Sequence, residues 1–154
     1  EVWVVCTGAE EAGLRGAKAF CKAHAEQFKN EKDVETVFVG FDTVRDYDFM
    51  AIYNKDMTGT VKNNQQFSQL VMDASKDAGH DDIELSSVFF GSSDAAAFSQ
   101  AGITATCLAA MDPRPADYYH NRRDTADRLV PETIKTGFDV IISTILNFDE
   151  KGLN

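Results

Sequence analysis

Four side chains in this 154-residue sequence have types and positions that suit chemistry: Glu10 and Glu11, adjacent in GAEEAGLRGAKAF; Asp42, directly after the run VETVFVGF; and His120, in DYYHNRRDTAD. Carboxylate oxygens and an imidazole nitrogen are the donors a catalytic zinc uses, so Glu11, Asp42 and His120 form a candidate ligand set. Each residue alone also has a plainer account. Paired acids ahead of a helix complement its macrodipole. An Asp after a strand makes a turn, and a single loop His commonly faces solvent. What raises the combination above its parts is that all three follow segments that read as strands or lie in a loop after one. No nucleophile elbow surrounds any Ser or Cys, and no glycine-rich phosphate loop is present.

These groups need elements to hold them. The apolar run VWVVCT (residues 2–7) predicts a central strand covered on both faces, ending at Gly8. Leu14, Ala17, Phe20, Cys21, Ala25 and Phe28 recur at helical spacing and predict an amphipathic helix over 14–30. Residues 34–41 and 48–54 read as further strands, joined by a hairpin-like turn over 43–47. A helix is expected over 63–78, stopped by Gly79. A strand over 83–90 leads into GSSD, whose Ser or Asp caps a helix over 95–100. Another strand follows at 103–109. A loop over 111–124 carries Pro113 and Pro115, and a last helix starts at Pro131, a favoured first-turn position, and runs to 148. Strands alternating with helices predict one α/β domain over residues 1–154, with a mainly parallel sheet and helices on both faces. In such sheets, sites lie beyond the carboxyl ends of strands, where Glu10, Glu11, Asp42 and the loop after Ala109 all fall.

Composition bounds the function classes. The net charge of −10 disfavours nucleic-acid and anionic-lipid partners, both of which depend on clustered Lys and Arg. An acidic surface solubilises, and it would also attract a cationic α-amino group. No apolar stretch approaches the roughly 20 residues of a membrane span. Cys6, Cys21 and Cys107 are an odd number at wide spacings and are expected as buried thiols, which mildly disfavours an oxidising compartment. The chain opens at Glu1 without Met and enters a strand-like run at once, the expected look of a segment of a longer protein.

Four motifs resemble the M28 zinc aminopeptidases, in that family's order: GAEEAGLRGAKAF after a strand, the strand-end FDT of Phe41, Asp42 and Thr43, SSDAAAFSQAGITA, and YYHNRRDTADRL. The resemblance spans residues 2–129 and continues into the usual last helix. It implies a three-layer α/β sandwich of the zinc-exopeptidase (phosphorylase/hydrolase-like) type, and an enzyme that releases N-terminal residues from peptides with two zinc ions. Carried over by position, Glu10 is the general base, Glu11 and His120 bind one zinc, and Asp42 binds the other. Asp124 supports a ligand or the loop, or caps a short helix near Ala126. Asp94 is a helix cap, and Tyr118 and Tyr119 are candidate walls of a substrate pocket.

Asp46 and Asp48 lie close enough to compete with Asp42, but only Asp42 directly follows the apolar run. Asp56, in NKDMTGT, resembles an Asp-Met-x-Gly metal motif, yet follows the third strand. His24 and His80 read as surface residues.

The chain departs from the family in one respect. The resemblance calls for a His and a metal-bridging Asp ahead of the Glu-Glu strand, and only Glu1 precedes that strand here. The two-zinc centre is therefore expected to be incomplete, this segment inactive alone and short of its first strands. A sheet edge is then expected to need cover from a missing N-terminal segment or a second copy. A glutaminyl-cyclase-like acyl transferase and a non-catalytic binding or assembly domain are the alternatives. Relatives secreted or in the cell envelope leave the compartment open.

Overall fold

In a computed structural model, residues 1–30, 34–114 and 117–153 are described. They build β1 (Val37–Val44), β2 (Met50–Asp56), β3 (Val61–Lys62), β4 (Glu84–Ser87) and β5 (Thr104–Ala110). The α-helices are α1 (Arg15–Asn30), α2 (Gln65–Asp77), α3 (Asp94–Gln100) and α4 (Pro131–Lys151). Pro115, one of the two prolines expected in the 111–124 loop, lies outside the described residues.

The centre of the sheet is β5, TATCLAA, in which every residue after Thr104 is buried. Its side chains alternate between two cores, as the period of two in a strand requires. Ala105, Cys107 and Ala109 face α1 and α3, while Leu108 and Ala110 face α2 and α4. Small residues dominate the first face because α3 lies close against it: Ala95, Ala96 and Ala97 are buried, and Phe98 stacks on Phe38 with ring centroids 3.6 Å apart. At Gly40, a Cβ would sit 3.1 Å from the Cys107 sulfur.

The strand order is β1-β5-β2-β3, with β4 also on β2. β1 runs parallel to β5 and β4 parallel to β2, whereas β2 runs antiparallel to β5 and to β3. Residues 43–47 are consequently not a hairpin. β5 lies between β1 and β2, and the connection crosses its end, where the Arg45 and Asp46 amides both donate to the Ala110 carbonyl. β1 also runs past Asp42 to Val44, through a register shift in which Thr43 takes a positive φ of 46°.

Helix ends follow local chemistry. The Asn64 side chain accepts the Phe67 amide at 2.9 Å and starts α2, which ends before Gly79 at φ 88°. At α3 the capping oxygen belongs to Ser93, not Asp94, which already occupies the first helical position.

Residues 2–7 form no strand. Val2, Trp3 and Val4 are 61%, 48% and 89% exposed. An apolar run shows that a segment suits burial between partners, but a strand exists only where another backbone completes its ladder. None of the described strands lies beside this run. Trp3 instead packs edge-on against Phe28 of α1, 5.5 Å between centroids, with Phe20 and His24 alongside. Cys6 is exposed for the same reason, against expectation, while Cys21 and Cys107 are buried. Nor are the other histidines plain surface residues. His24 joins that aromatic cluster, and His80 is only 19% exposed, its Nε2 buried 3.9 Å from Asp139 Oδ2.

Candidate active site

The paired acids sit on a knotted turn that the sequence AEEAGLRG makes by local hydrogen bonding. The Glu10 carbonyl accepts the amides of Gly13 (3.0 Å) and Leu14 (2.7 Å), and the Gly16 amide reaches back to the Gly8 carbonyl at 2.9 Å. Ala9, Gly13 and Leu14 all have positive φ, and the buried Leu14 side chain plugs the turn into the core. Gly16 is required by contact. A Cβ there would lie 2.3 Å from the Gly8 carbonyl oxygen and 2.6 Å from its nitrogen, both backbone atoms that cannot swing away. The Gly-Leu-x-Gly pattern is thus a packing solution that fixes the turn carrying Glu10 and Glu11.

Tertiary folding brings the predicted residues together. Glu11 Oε1 meets His120 Nε2 at 2.6 Å, both side chains exposed to solvent. His120 has a φ of 57°, and the Tyr119 ring stacks on its imidazole at 3.8 Å and 19°. Glu10 lies beside this pair. Burial, then the negative charges of Asp42, Glu11 and Asp94, push its carboxyl up to about 7, against a smaller opposing pull from His120. Asp42, opposite Ala109 at the carboxyl end of β1, is also raised, chiefly by burial, although its Oδ1 accepts the Thr43 hydroxyl at 3.1 Å. Asp94 accepts the Thr7 hydroxyl and keeps Oδ1 buried without a partner among the described residues. Glu10 and Asp42 therefore hold their protons more tightly than free carboxylates do.

Other candidates are placed differently. Asp56 is fully buried and accepts the Met57 amide at 2.6 Å, the Ser93 amide at 2.9 Å and the Ser93 hydroxyl at 2.6 Å, so it joins β2 to α3. Asp46 pairs with Arg45, and Asp48 is exposed. Asp124 is exposed in the loop, its amide donating to Asn121, and the short turn at Ala126 follows Thr125 with no side-chain cap. Tyr118 is buried. It is 8% exposed, with the Arg45 and Arg128 guanidiniums 4.8 and 5.6 Å from its ring centroid. Tyr119 is half-buried beside His120, its ring stacked on the imidazole. A surface cavity of about 370 Å³ between α1 and α3, lined in part by Lys18, Lys22, Glu26 and Lys29, includes none of Glu10, Glu11, Asp42, Asp94 and His120.

For a metal the donor types fit and the number falls short. A catalytic zinc takes three protein ligands and a water. Glu11 and His120 are two donors that bond directly to each other, and no three of His, Cys, Asp or Glu converge on a metal position among the described residues.

The sequence profile described as Peptidase family M28 matches residues 1–145. The chain belongs to peptidase family M28. Its fold is that of solved zinc-aminopeptidase structures. The LapA aminopeptidase of Legionella pneumophila superposes with a TM-score of 0.72 at 20% identity, covering 92% of this chain and 38% of that one. BSAP, a zinc aminopeptidase from Bacillus subtilis, gives 0.72 at 23% identity, covering 94% and 34%. A glutaminyl cyclase from an Acidobacteriales bacterium gives 0.67 at 19%, covering 90% and 47%. No curated protein sequence matches the chain. The chain spans little more than a third of the length of the two aminopeptidases. Within this M28 chain, the reach of Arg45 to the loop that carries His120 and the close packing of Gly16 on Gly8 were not legible in the sequence, since they depend on a distant contact and on backbone packing.

Proposed function

We propose that this M28 chain carries the proton-transfer and part of the metal-binding apparatus of a zinc-dependent aminopeptidase. The observation that supports it most is Glu10, an acid raised to about 7 directly beside the Glu11–His120 pair. A base that titrates near neutral pH both accepts a proton from attacking water and returns it to the leaving amine, which peptide hydrolysis requires in turn. Glu11 and His120 would hold one zinc and Asp42 would contribute to a second. Zinc, when bound, acidifies a water molecule and polarises a carbonyl. Glu10, Glu11, Asp42 and Asp94 together favour a substrate presenting a cationic α-amino group, and Tyr119 offers a flat apolar face next to His120.

With two donors in place, the chain alone is expected to bind metal weakly and hydrolyse slowly. The remaining ligands would come from a segment ahead of residues 2–7. That segment, or a second copy of the chain, would cover the outer edge of β1, which pairs with β5 alone among the described strands. The second reading is a glutaminyl-cyclase-like acyl transfer, supported by the similar fold of the Acidobacteriales cyclase. A binding or assembly domain has no chemical need for a carboxylate raised to 7.

The decisive experiment measures zinc content, leucine p-nitroanilide hydrolysis and cyclisation of Gln-terminal peptides. It is run on this chain and on a longer protein containing it, each beside Glu10→Gln. Two zincs and hydrolysis lost on Glu10→Gln in the longer protein support the aminopeptidase. Cyclisation without hydrolysis transfers the assignment to the cyclase, and absence of metal and both activities leaves the binding domain.

A further inference from the structure

We propose that Arg45 is a positioning residue for His120, one guanidinium at the end of β1 clasping both ends of the loop that carries the imidazole. The inference rests on the reading of His120 as a metal ligand. Tyr118 stands just before His120, and Arg128 lies beyond the exposed stretch that follows it. Arg45 reaches both: its Nε donates to the Arg128 carbonyl at 3.0 Å, and its guanidinium carbon lies 4.8 Å from the Tyr118 ring centroid. Arg128 brings its own guanidinium to within 5.6 Å of the same centroid. Asp46 pairs with another nitrogen of Arg45 and fixes the plane of the group.

The base of the clasp is rigid. The amides of Arg45 and Asp46 donate to the Ala110 carbonyl at 3.2 and 2.8 Å, so the Arg45 backbone is held at the end of β5. Apart from the Glu11–His120 contact, the loop's other bonds near His120 are internal, through Asn121, Asp117 and Arg123. Tyr118 is its one buried residue among the described positions 117–129, and residues 120–129 are all exposed. His120 nonetheless has a φ of 57°, a conformation that a non-glycine residue keeps only when its surroundings impose it. A planar guanidinium can donate along its edge while stacking through its face, which an ammonium cannot do. The same strand end presents Asp42, so the clasp ties the His120 loop to the strand that holds another proposed ligand. Removing a group that orients a ligand typically weakens metal binding 10- to 100-fold.

The test uses this chain labelled with ¹⁵N-histidine, with the His120 signal assigned by its loss in His120→Ala. The readouts are the imidazole resonance perturbed by the Glu11 contact and the affinity for Zn²⁺ alone. Arg45→Ala should abolish the Glu11-dependent shift, which Glu11→Gln also removes, and weaken Zn²⁺ binding at least 10-fold, with the sheet amide resonances unchanged. Arg45→Lys should fall between, and Arg122→Ala, in the same loop, should change neither readout. Tyr118→Leu removes the stacked ring while keeping Arg45, and is expected to act in the same direction should Arg45→Ala fold poorly. An unchanged His120 resonance in both Arg45→Ala and Tyr118→Leu overturns the proposal, as does a loss accompanied by shifts throughout the sheet. If neither this chain nor a longer protein containing it binds Zn²⁺, the ligand reading fails, while the imidazole resonance still decides the role of Arg45.

Discussion

His120 Nε2 and Glu11 Oε1 lie 2.6 Å apart although 109 positions separate them, closing the loop before α4 onto the turn before α1. If the two share one ion, Glu11→Gln and His120→Ala should each abolish measurable Zn²⁺ binding by calorimetry, and the double variant should be no worse than either single one. Additive losses would mean that the two residues act at separate points.

The raised acids set a pH dependence of stability. Glu10 goes from an ordinary value of 4.5 to about 7 on folding, so between these values the folded chain holds more protons than the unfolded one. Stability contributed by the protonated form is present at low pH and lost as pH rises through about 7. Asp42, also raised, acts in the same direction. For the metal-free chain, urea melts should show lower stability at pH 8 than at pH 5.5. Since much of Glu10 faces solvent, the share that Glu10→Gln removes should be on the order of 1 kcal/mol.

Gly16→Ala is expected to cost about 1–3 kcal/mol, the range for forcing atoms into a packed site, because its Cβ meets the Gly8 backbone at 2.3 Å. Gly8→Ala, with nothing within 4 Å of the added atom, should cost far less in the same urea titration. The Gly16 variant should also shift the His120 resonance, since the turn it displaces carries Glu11.

Asp56→Asn separates a structural acid from a metal ligand. It replaces one acceptor of a buried carboxylate that receives three hydrogen bonds, and should destabilise by about 1–3 kcal/mol. Zn²⁺ affinity should stay at the wild-type value. Asp42→Asn in a longer protein containing this chain should do the reverse, lowering zinc content with little change in melting temperature.

A quantitative thiol reagent provides an independent check on residues 2–7. Cys6 should react within the mixing time under native conditions, while Cys21 and Cys107 should react only on unfolding, because burial shields both and raises both thiols. Protection of all three would place the 2–7 run inside a sheet.

Local chemistry was enough to identify what depends on local chemistry. The apolar periodicity of 14–30 and 63–78 marked α1 and α2, Gly79 marked a helix end, and the run at 103–109 marked a strand, which folding makes the most buried one. Glu10, Glu11, Asp42 and His120 were legible as a candidate site because their donor types suit one chemistry, each follows or lies beyond a strand-like run, and the motifs around them resemble those of M28 peptidases. Tertiary structure alone decided which strands are neighbours, and therefore that 43–47 crosses the end of β5 and that residues 2–7 lack a ladder partner among the described strands. It alone showed that Tyr118 lies under two guanidiniums, and that Glu10 is raised by burial and then by acids that include Asp42 of β1 and Asp94 of α3. The physical reason is the same in each case. An apolar pattern states that a segment gains by burial, and a charged side chain states what it can bind, but neither specifies the distant backbone or charge that will stand opposite.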